Sequence, residues 1–323
     1  MTTVRDIYNT LFAFAPASMK MDWDNVGLLC GRFDAPVDTV LVALDPMPDV
    51  IDEAKKTGAK VIAFAGVDFM AETAKILNPE ETVVLPDRAA GCTLEELCEP
   101  VELAIFKKKH PDAIVISYIN CSAGVKEISD IICTSGNALE IVKQIPPEQK
   151  IIFCPDRHLG SWIVEQTGRE MILWDGYCWA HTQYKAGELA DIKRAFDGAP
   201  LVCHPECPKE VRDVADCVCS TEKMIKFCRE NPSDKFIIAT VVEMIHRLRR
   251  EIPGKTFIAA TSSGRPAQHC KNMLMNTPEK LLKCLETLEP RIELPKDVMD
   301  RARKPIERML EMSESAGRRP QFG

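Results

Sequence analysis

Cys178 and His181 stand three residues apart in the stretch Trp174-Asp-Gly-Tyr-Cys-Trp-Ala-His. A thiolate and an imidazole at that spacing, on one loop, can serve as paired ligands or as an acid–base neighbour to a soft metal centre. Two more thiols occupy similar loops: Cys92 in Ala90-Gly-Cys-Thr and Cys270 in Gln268-His-Cys-Lys-Asn-Met. The three are read as meeting at one point and holding an iron–sulfur cluster. Tight Cys-x-x-Cys pairs are absent, which excludes a zinc ribbon or a thioredoxin site and requires a centre assembled from distant loops.

Other polar residues gather where apolar runs end. Ser117-Tyr118-Ile-Asn120 closes one run and Cys133-Thr134-Ser135-Gly-Asn137 another. Cys203-His204-Pro-Glu206-Cys207 closes a third and Cys219-Ser220-Thr221 a fourth. Each alone reads as an ordinary hydrogen-bonded turn; their shared position is what points to a site. His204 and Glu206 flank Pro205, so one extended turn can present both to one cavity. Ser135 and Thr221 are placed to open helices, as N-caps or as an anion site at a helix N-terminus.

The elements that must position these residues alternate. Apolar strands are expected at 60–66, 82–85, 113–118, 131–133, 150–154, 170–174, 200–203, 217–219, 235–240 and 256–260. Helices follow most of them, as in Ala71-Glu-Thr-Ala-Lys-Ile-Leu, Val125-Lys-Glu-Ile-Ser-Asp and the amphipathic stretch Thr182 to Phe196. Strands alternating with helices predict parallel sheets covered on both faces. So many strands exceed one sheet of about 4–6, so several small α/β layers are expected, repeating in structure at most. Ligands in such sheets bind beyond the carboxyl ends of the strands. A charged amphipathic helix is expected from Leu294 to Met312.

The chain has 323 residues, 46% hydrophobic and 28% charged, with a net charge of −7. No basic excess exists to neutralise phosphates, which argues against nonspecific nucleic-acid binding. No apolar run reaches the roughly 18 residues of a membrane span, and the start Met1-Thr-Thr-Val-Arg-Asp lacks a signal-peptide pattern. A cytoplasmic protein with reduced thiols is expected. Of the 14 cysteines, Cys133, Cys154, Cys203, Cys217 and Cys219 lie in apolar strands and are read as small buried hydrophobes.

The front of the chain reads as an amphipathic helix over residues 3–15, then Asp22-Trp-Asp-Asn-Val-Gly-Leu, the strand Thr39-Val-Leu-Val-Ala-Leu-Asp and a helix closed by Gly58. This segment, about the first 60 residues, resembles the start of the dinuclear metal family known as type 2 GTP cyclohydrolase. The His-His ligands of that family have no counterpart in Lys60-Val-Ile-Ala-Phe-Ala-Gly-Val-Asp.

Residues 62 to about 312 resemble quinolinate synthase. The carrying motifs are Gly66-Val-Asp-Phe-Met-Ala-Glu-Thr-Ala-Lys-Ile-Leu-Asn-Pro, Leu85-Pro-Asp-Arg-Ala-Ala-Gly-Cys92, Ser117-Tyr-Ile-Asn, Cys133-Thr-Ser, Trp174 to His181, His204-Pro-Glu-Cys-Pro and Cys270-Lys-Asn-Met-Leu-Met-Asn-Thr. The resemblance implies three small αβα-layered domains with parallel sheets around a pseudo-threefold axis: residues 1–96 plus 266–323, residues 97–178, and residues 179–265. It implies condensation of iminosuccinate with dihydroxyacetone phosphate to quinolinate for NAD synthesis, with a transient contact to an aspartate-oxidising enzyme that supplies iminosuccinate.

It further implies that Cys92, Cys178 and Cys270 each give one thiolate to a [4Fe–4S] cluster with one iron left open. Tyr118 and Asn120 would hold substrate, and Ser135, His204 and Thr221 would bind its carboxylates or phosphate. Glu206 would transfer protons and His181 would line the cavity, with Tyr118 beside them in catalysis. Departures from the family pattern are equally specific. The family's opening strand ending in His-Asn-Tyr is missing, Asp68 and Trp179 stand where His and Pro are usual, and Ala239-Thr-Val-Val-Glu lacks Gly-Thr-Glu. Asp45, at the end of Val40-Leu-Val-Ala-Leu, is the strand-end residue expected to take the place of the missing His and Tyr. Two like charges about 4 Å apart at an effective dielectric of ~20 repel by about 4 kcal/mol, so a carboxylate there predicts a cluster that forms and a condensation that is impaired. The alternatives are a cluster-binding homologue without the condensation activity, and a dinuclear metal hydrolase.

Overall fold

The computed structural model describes residues 60–261 and 267–315. The helices and strand expected before residue 60, and Asp45 with them, lie outside the described residues. The chain divides into two compact units, residues 1–92 with 271–300, and residues 93–270 with 301–323.

In the first unit, β1 (Val61–Ala63) pairs in parallel with β2 (Thr82–Val84), Val61 opposite Thr82. The crossover between them is α1 (Asp68–Leu77), whose first-turn Asp68 opposes the partial positive charge of the helix start. Phe64, Ala71, Ala74, Val83, Leu85 and Ile292 form the core under this crossover. The returning segment contributes the helix Pro278–Thr287, capped by Thr277 and begun by proline, whose missing N–H is no loss in a first turn.

The second unit holds two four-stranded parallel sheets of identical topology. The first is β3 (Ala113–Tyr118), β4 (Ile131–Cys133), β5 (Lys150–Cys154) and β6 (Ile172–Leu173), in spatial order β4-β3-β5-β6. The second is β7 (Leu201–Cys203), β8 (Cys217–Val218), β9 (Lys235–Ala239) and β10 (Thr256–Ala259), in order β8-β7-β9-β10. The helices follow the strands: α2 (Thr93–Glu96), α3 (Pro100–Lys109), α4 (Ala123–Ile128), α5 (Ala138–Lys143), α6 (Arg157–Thr167), α7 (Ala186–Ala195), α8 (Lys209–Val214), α9 (Thr221–Glu230) and α10 (Glu243–Glu251). The ten strands among the described residues fall inside the apolar runs of the sequence.

The repeat reaches individual side chains. Asp130, just before β4, accepts from the Val115 amide at 2.8 Å and from Lys107 Nζ at 2.9 Å. Asp216, just before β8, accepts from the Leu201 amide at 2.7 Å and from Lys193 Nζ at 2.7 Å. In each sheet a carboxylate thus pins the entry of the second strand to the first, with a lysine of the preceding helix beside it.

Alternation along the strands fills both faces of the second sheet. Val202, Phe236, Ile238 and Phe257 pack with Met224, Ile225, Cys228 and Leu248 on one face. Leu201, Cys203, Ile237 and Ala239 pack with Leu189, Ile192 and Val211 on the other. Fully burying one such aromatic or aliphatic side chain contributes about 1.5–3 kcal/mol, so these two layers hold the sheet rigid behind its loops. The C-terminal helix Lys296–Ser315 joins the second unit from Arg301 onward, where Arg301 meets Glu127 at 2.8 Å and Ser313 accepts from Asn137 at 3.1 Å. No helix among the described residues is long and apolar enough to cross a membrane.

Three expectations from sequence need correction. The helix expected from Thr182 starts at Ala186, after a short 3-10 turn, His181–Gln183. Thr182 Oγ1 and Gln183 Nε2 both donate to the Trp179 carbonyl, which winds that turn tightly. Neither Ser135 nor Thr221 is a cap: the N-cap of α5 is Asn137 and that of α9 is Ser220. Cys217 is half-buried, because β8 is an edge strand and leaves it less covered than the buried Cys219.

Candidate functional site

The carboxyl ends of β3, β7 and β9 and the loop after β6 bring a set of buried polar side chains together in the second unit. Its centre is Glu206, 4% exposed, in the turn after β7. The Tyr118 hydroxyl, from the last residue of β3, donates to Glu206 Oε1 at 2.7 Å. His181 Nδ1 lies 2.8 Å from Glu206 Oε2 and 3.1 Å from Cys178 Sγ. Its other nitrogen, Nε2, is 2.9 Å from Thr240 Oγ1 at the end of β9. The Thr240 carbonyl in turn accepts from the Tyr184 hydroxyl.

Local sequence explains how the Cys178 loop is held. Gly176 passes so close to the Pro155 carbonyl that a Cβ there would run into it, and the Gly176 carbonyl accepts from the Arg157 amide at 2.9 Å. Trp174 donates Nε1 to the Leu97 carbonyl at 2.7 Å and packs edge-on against Phe106. Thr93 Oγ1 accepts from the Trp179 amide at 3.2 Å. With both ends tied, the thiol and the imidazole are presented from a fixed loop.

His204 stacks on His181 with ring centroids 4.9 Å apart. The Glu206 amide donates to His204 Nδ1 at 3.3 Å, so that nitrogen carries a lone pair and not a proton. The Nε2–H tautomer then faces Ser135 Oγ at 3.3 Å. Burial brings the His204 pKa down to about 4, which agrees with this neutral tautomer and makes the 3.7 Å approach of Nδ1 to Glu206 no ion pair.

Burial alone would raise the Glu206 carboxyl. The imidazoles of His204 and His181 and the hydrogen bonds from His181 and Tyr118 outweigh it and hold the group below the ordinary carboxylate range. A neutral His204 supplies no full positive charge, so the two donors His181 and Tyr118 carry most of that effect. Burial, followed by the charge of Glu206, pushes the Tyr118 phenol up and keeps its proton on. Asp156 is buried near the same carboxylate. Burial and then the charge of Glu206 push it well up, while Oδ1 caps α6 by accepting from the His158 and Leu159 amides at 2.7 and 2.9 Å.

The structure therefore brings Tyr118, His181, Ser135, His204, Glu206 and Cys178 into one network. Thr221 is the first residue of α9, and its neighbour Ser220 stands beside Gly136 of the Ser135 turn, to which Lys223 also donates at 2.8 Å. Asn120 is half-buried in the turn after β3. Cys270 is half-buried, in a loop pinned by His269 to Glu243 at 2.6 Å and by the Val242 amide to the Gln268 carbonyl at 2.8 Å. Cys92, in the first unit, is half-buried against Val67, Phe69 and Ala90, and Asn272 donates to the preceding Gly91 carbonyl at 2.7 Å. Sequence reasoning passed over Thr240 and Asp156. The signal for Thr240 was its place at a strand end; Asp156 reads as a plain N-cap, and only burial sets it apart.

Fold and site together define a parallel α/β protein with its ionisable groups gathered on strand-end loops, in the manner of enzymes of small anionic substrates. The comparisons with known proteins are more specific. The profile of the family described as Quinolinate synthetase A protein matches residues 49–311, and the chain belongs to that family. A quinolinate synthase of Synechocystis sp. is 44% identical over 297 residues, 92% of this chain and 93% of that protein. One of Trichormus variabilis is 48% identical over 261 residues, 80% of this chain and 81% of that protein. One of Chloroherpeton thalassium is 48% identical over 264 residues, 81% and 82% respectively. A second profile, Duf34/NIF3 (NGG1p interacting factor 3), matches residues 2–65, in keeping with the separate resemblance of the front segment.

Proposed function

We propose that this chain is a quinolinate synthase, condensing iminosuccinate with dihydroxyacetone phosphate to quinolinate for NAD synthesis. The observation that carries the reading is the buried relay Tyr118–Glu206–His181, ending beside Cys178, in a chain of this family. Condensation with loss of water needs a group that takes a proton from carbon or nitrogen and returns it to a leaving oxygen. Glu206 is ionised and can accept. Tyr118 and His181 each hold a proton against one of its oxygens and can restore it. Ser135, neutral His204, Asn120 and Thr221 offer uncharged donors to substrate carboxylates or phosphate, which suits an acidic protein whose overall field does not attract anions.

A [4Fe–4S] cluster fits the thiols. Among the described cysteines, Cys92, Cys178, Cys217 and Cys270 are half-buried and the others are buried. Three of those four stand in the loops singled out from sequence, and we assign them as the ligands. Such a cluster would supply a Lewis-acidic iron that lacks a thiolate. The test is anaerobic reconstitution of the full chain with iron and sulfide, followed by assay of quinolinate from both substrates. Quinolinate is expected with wild type and not with Glu206→Gln at equal iron content. One observation favours a second reading, a cluster-binding member with impaired condensation: a different family's profile covers residues 2–65. A full cluster without quinolinate would select it.

A further inference from the structure

β8 is Cys217-Val218, and Cys219 follows it directly. Val218 packs on one face of the sheet, with Leu201 and Val211. Both cysteines pack on the other, with Met224 and Cys228 of α9. Their sulfurs lie 3.5 Å apart. Cys217 is half-buried on the edge strand, while Cys219 is buried. Their shared hydrogen bond lowers the pKa of Cys217, and raises that of Cys219 further than burial does. The pair therefore divides into an accessible sulfur, the one a reagent reaches first, and a covered one held 3.5 Å behind it. Thiolate is the nucleophile in such chemistry.

We propose that Cys217 and Cys219 form a modification site for hydroperoxides, which close a disulfide across the end of β8 and displace the start of α9. The Cys217 thiolate attacks one peroxide oxygen. The O–O bond breaks, hydroxide or alkoxide leaves, and Cys217 becomes a sulfenic acid. The Cys219 sulfur then attacks that sulfur, the S–O bond breaks, and the hydroxyl leaves with the Cys219 proton as water. Two electrons pass from the thiol pair to the peroxide, and no further reagent is needed.

The displacement follows from chain geometry. Residues two apart in an extended strand have Cα atoms about 6.4–6.8 Å apart, at the upper edge of the roughly 4.4–6.8 Å that a disulfide spans. Closure draws the backbone inward at Val218. That strains the pairing of Val218 with Cys203 and the 3.0 Å hydrogen bond from the Cys219 amide to the Cys203 carbonyl. The next residue is Ser220, the N-cap of α9, whose carbonyl accepts from the Met224 amide at 2.9 Å. Ser220 precedes Thr221, which the proposed function offers as a donor to substrate anions, so the pair sits where oxidation is felt by that turn.

The test uses the full chain, cluster-free and without substrate, so its outcome is independent of the catalytic reading. Hydrogen peroxide is added stoichiometrically and the tryptic peptide Asp213–Lys223 is weighed. It is expected to lose the mass of two hydrogens in wild type and to regain it with dithiothreitol. In Cys219→Ser, a sulfenic acid trapped by dimedone is expected at Cys217, and in Cys217→Ser neither product. Amides at the start of α9 are expected to exchange hydrogen severalfold faster in the oxidised chain than in the reduced one. If Cys217→Ser does not fold, the order of alkylation in wild type decides: Cys217 is expected to react before Cys219, Cys203 and Cys228. A peptide that stays reduced while buried cysteines oxidise, or a disulfide that leaves the exchange of α9 unchanged, would overturn the proposal.

Discussion

His181 presents Nδ1 to Oε2 of Glu206 at 2.8 Å, both side chains more than nine-tenths buried. The pair links the loop after β6 to the turn after β7 without an intervening group. A buried carboxylate left without such a donor would be costly by several kcal/mol, so the imidazole and the carboxylate define one another's position.

Replacing Glu206 by Gln keeps the shape and removes the charge that accepts a proton. Quinolinate formation is expected to fall by about 10²–10⁴-fold, with iron and sulfide per chain unchanged. Parallel measurement of cluster absorbance and product separates the two. Wild-type turnover in this variant would remove Glu206 from the reaction.

Thr240 acts through His181, to whose Nε2 its hydroxyl is hydrogen-bonded at 2.9 Å. Thr240→Val deletes that hydrogen bond at nearly constant volume, for a loss of about 1–1.5 kcal/mol or roughly tenfold in kcat. KM should change little, the pH profile of kcat should move, and Thr240→Ser should restore both. A loss seen equally in Thr240→Ser would indicate packing rather than positioning of the imidazole.

His204 makes stability fall in mild acid. Its folded pKa, brought down to about 4 by burial, lies below the ordinary 6.5, so below 6.5 the unfolded chain binds the proton that the folded chain refuses. The contribution is complete above 6.5 and is lost as pH falls toward 4; over that window it is on the order of 3 kcal/mol. His158, lowered to about 4 chiefly by burial, works in the same direction. Urea unfolding of wild type and His204→Gln across this range should show the shallower slope in the variant. Equal slopes would mean that His204 titrates normally.

Each of Cys92→Ala, Cys178→Ala and Cys270→Ala is expected to abolish stable cluster assembly. Cys98 and Cys207 are the nearest candidates for rescue, but both are fully buried, and neighbouring thiols together with burial keep their protons on. Full iron and sulfide in any one variant would break the assignment. By contrast, Ala at Cys133, Cys154 or Cys203 should cost on the order of 1–2 kcal/mol and leave iron content intact.

Asp45 lies outside the described residues, and its expected place at a strand end rests on sequence. If its carboxylate faces the triose phosphate, Asp45→Ala should raise quinolinate formation from a low wild-type level and lower KM for that substrate. Steady wild-type production, unchanged by the substitution, would show that the front segment leaves the phosphate site clear.

Much of this protein was legible in its sequence because the signals are local. Apolar runs such as Ala113–Tyr118 and Lys235–Ala239 must be buried strands, since their helical alternatives are too short and too β-branched. Strand-end placement alone marked Tyr118, His204, Glu206 and the Cys178 loop. What sequence could not decide is which strand ends face one another. The tertiary structure joined Tyr118 to Glu206 across 88 positions of chain and His181 to Thr240 across 59, and only parallel pairing in two sheets of matching order does that. Protonation was decided there as well: sequence placed His204 and Glu206 on one turn, and the Glu206 amide on Nδ1 together with burial leaves His204 neutral. Cys217 and Cys219 looked like interchangeable core residues. They differ because Cys217 lies on β8, the edge of its sheet, while Cys219 follows the strand into the core beside Met224 and Cys228.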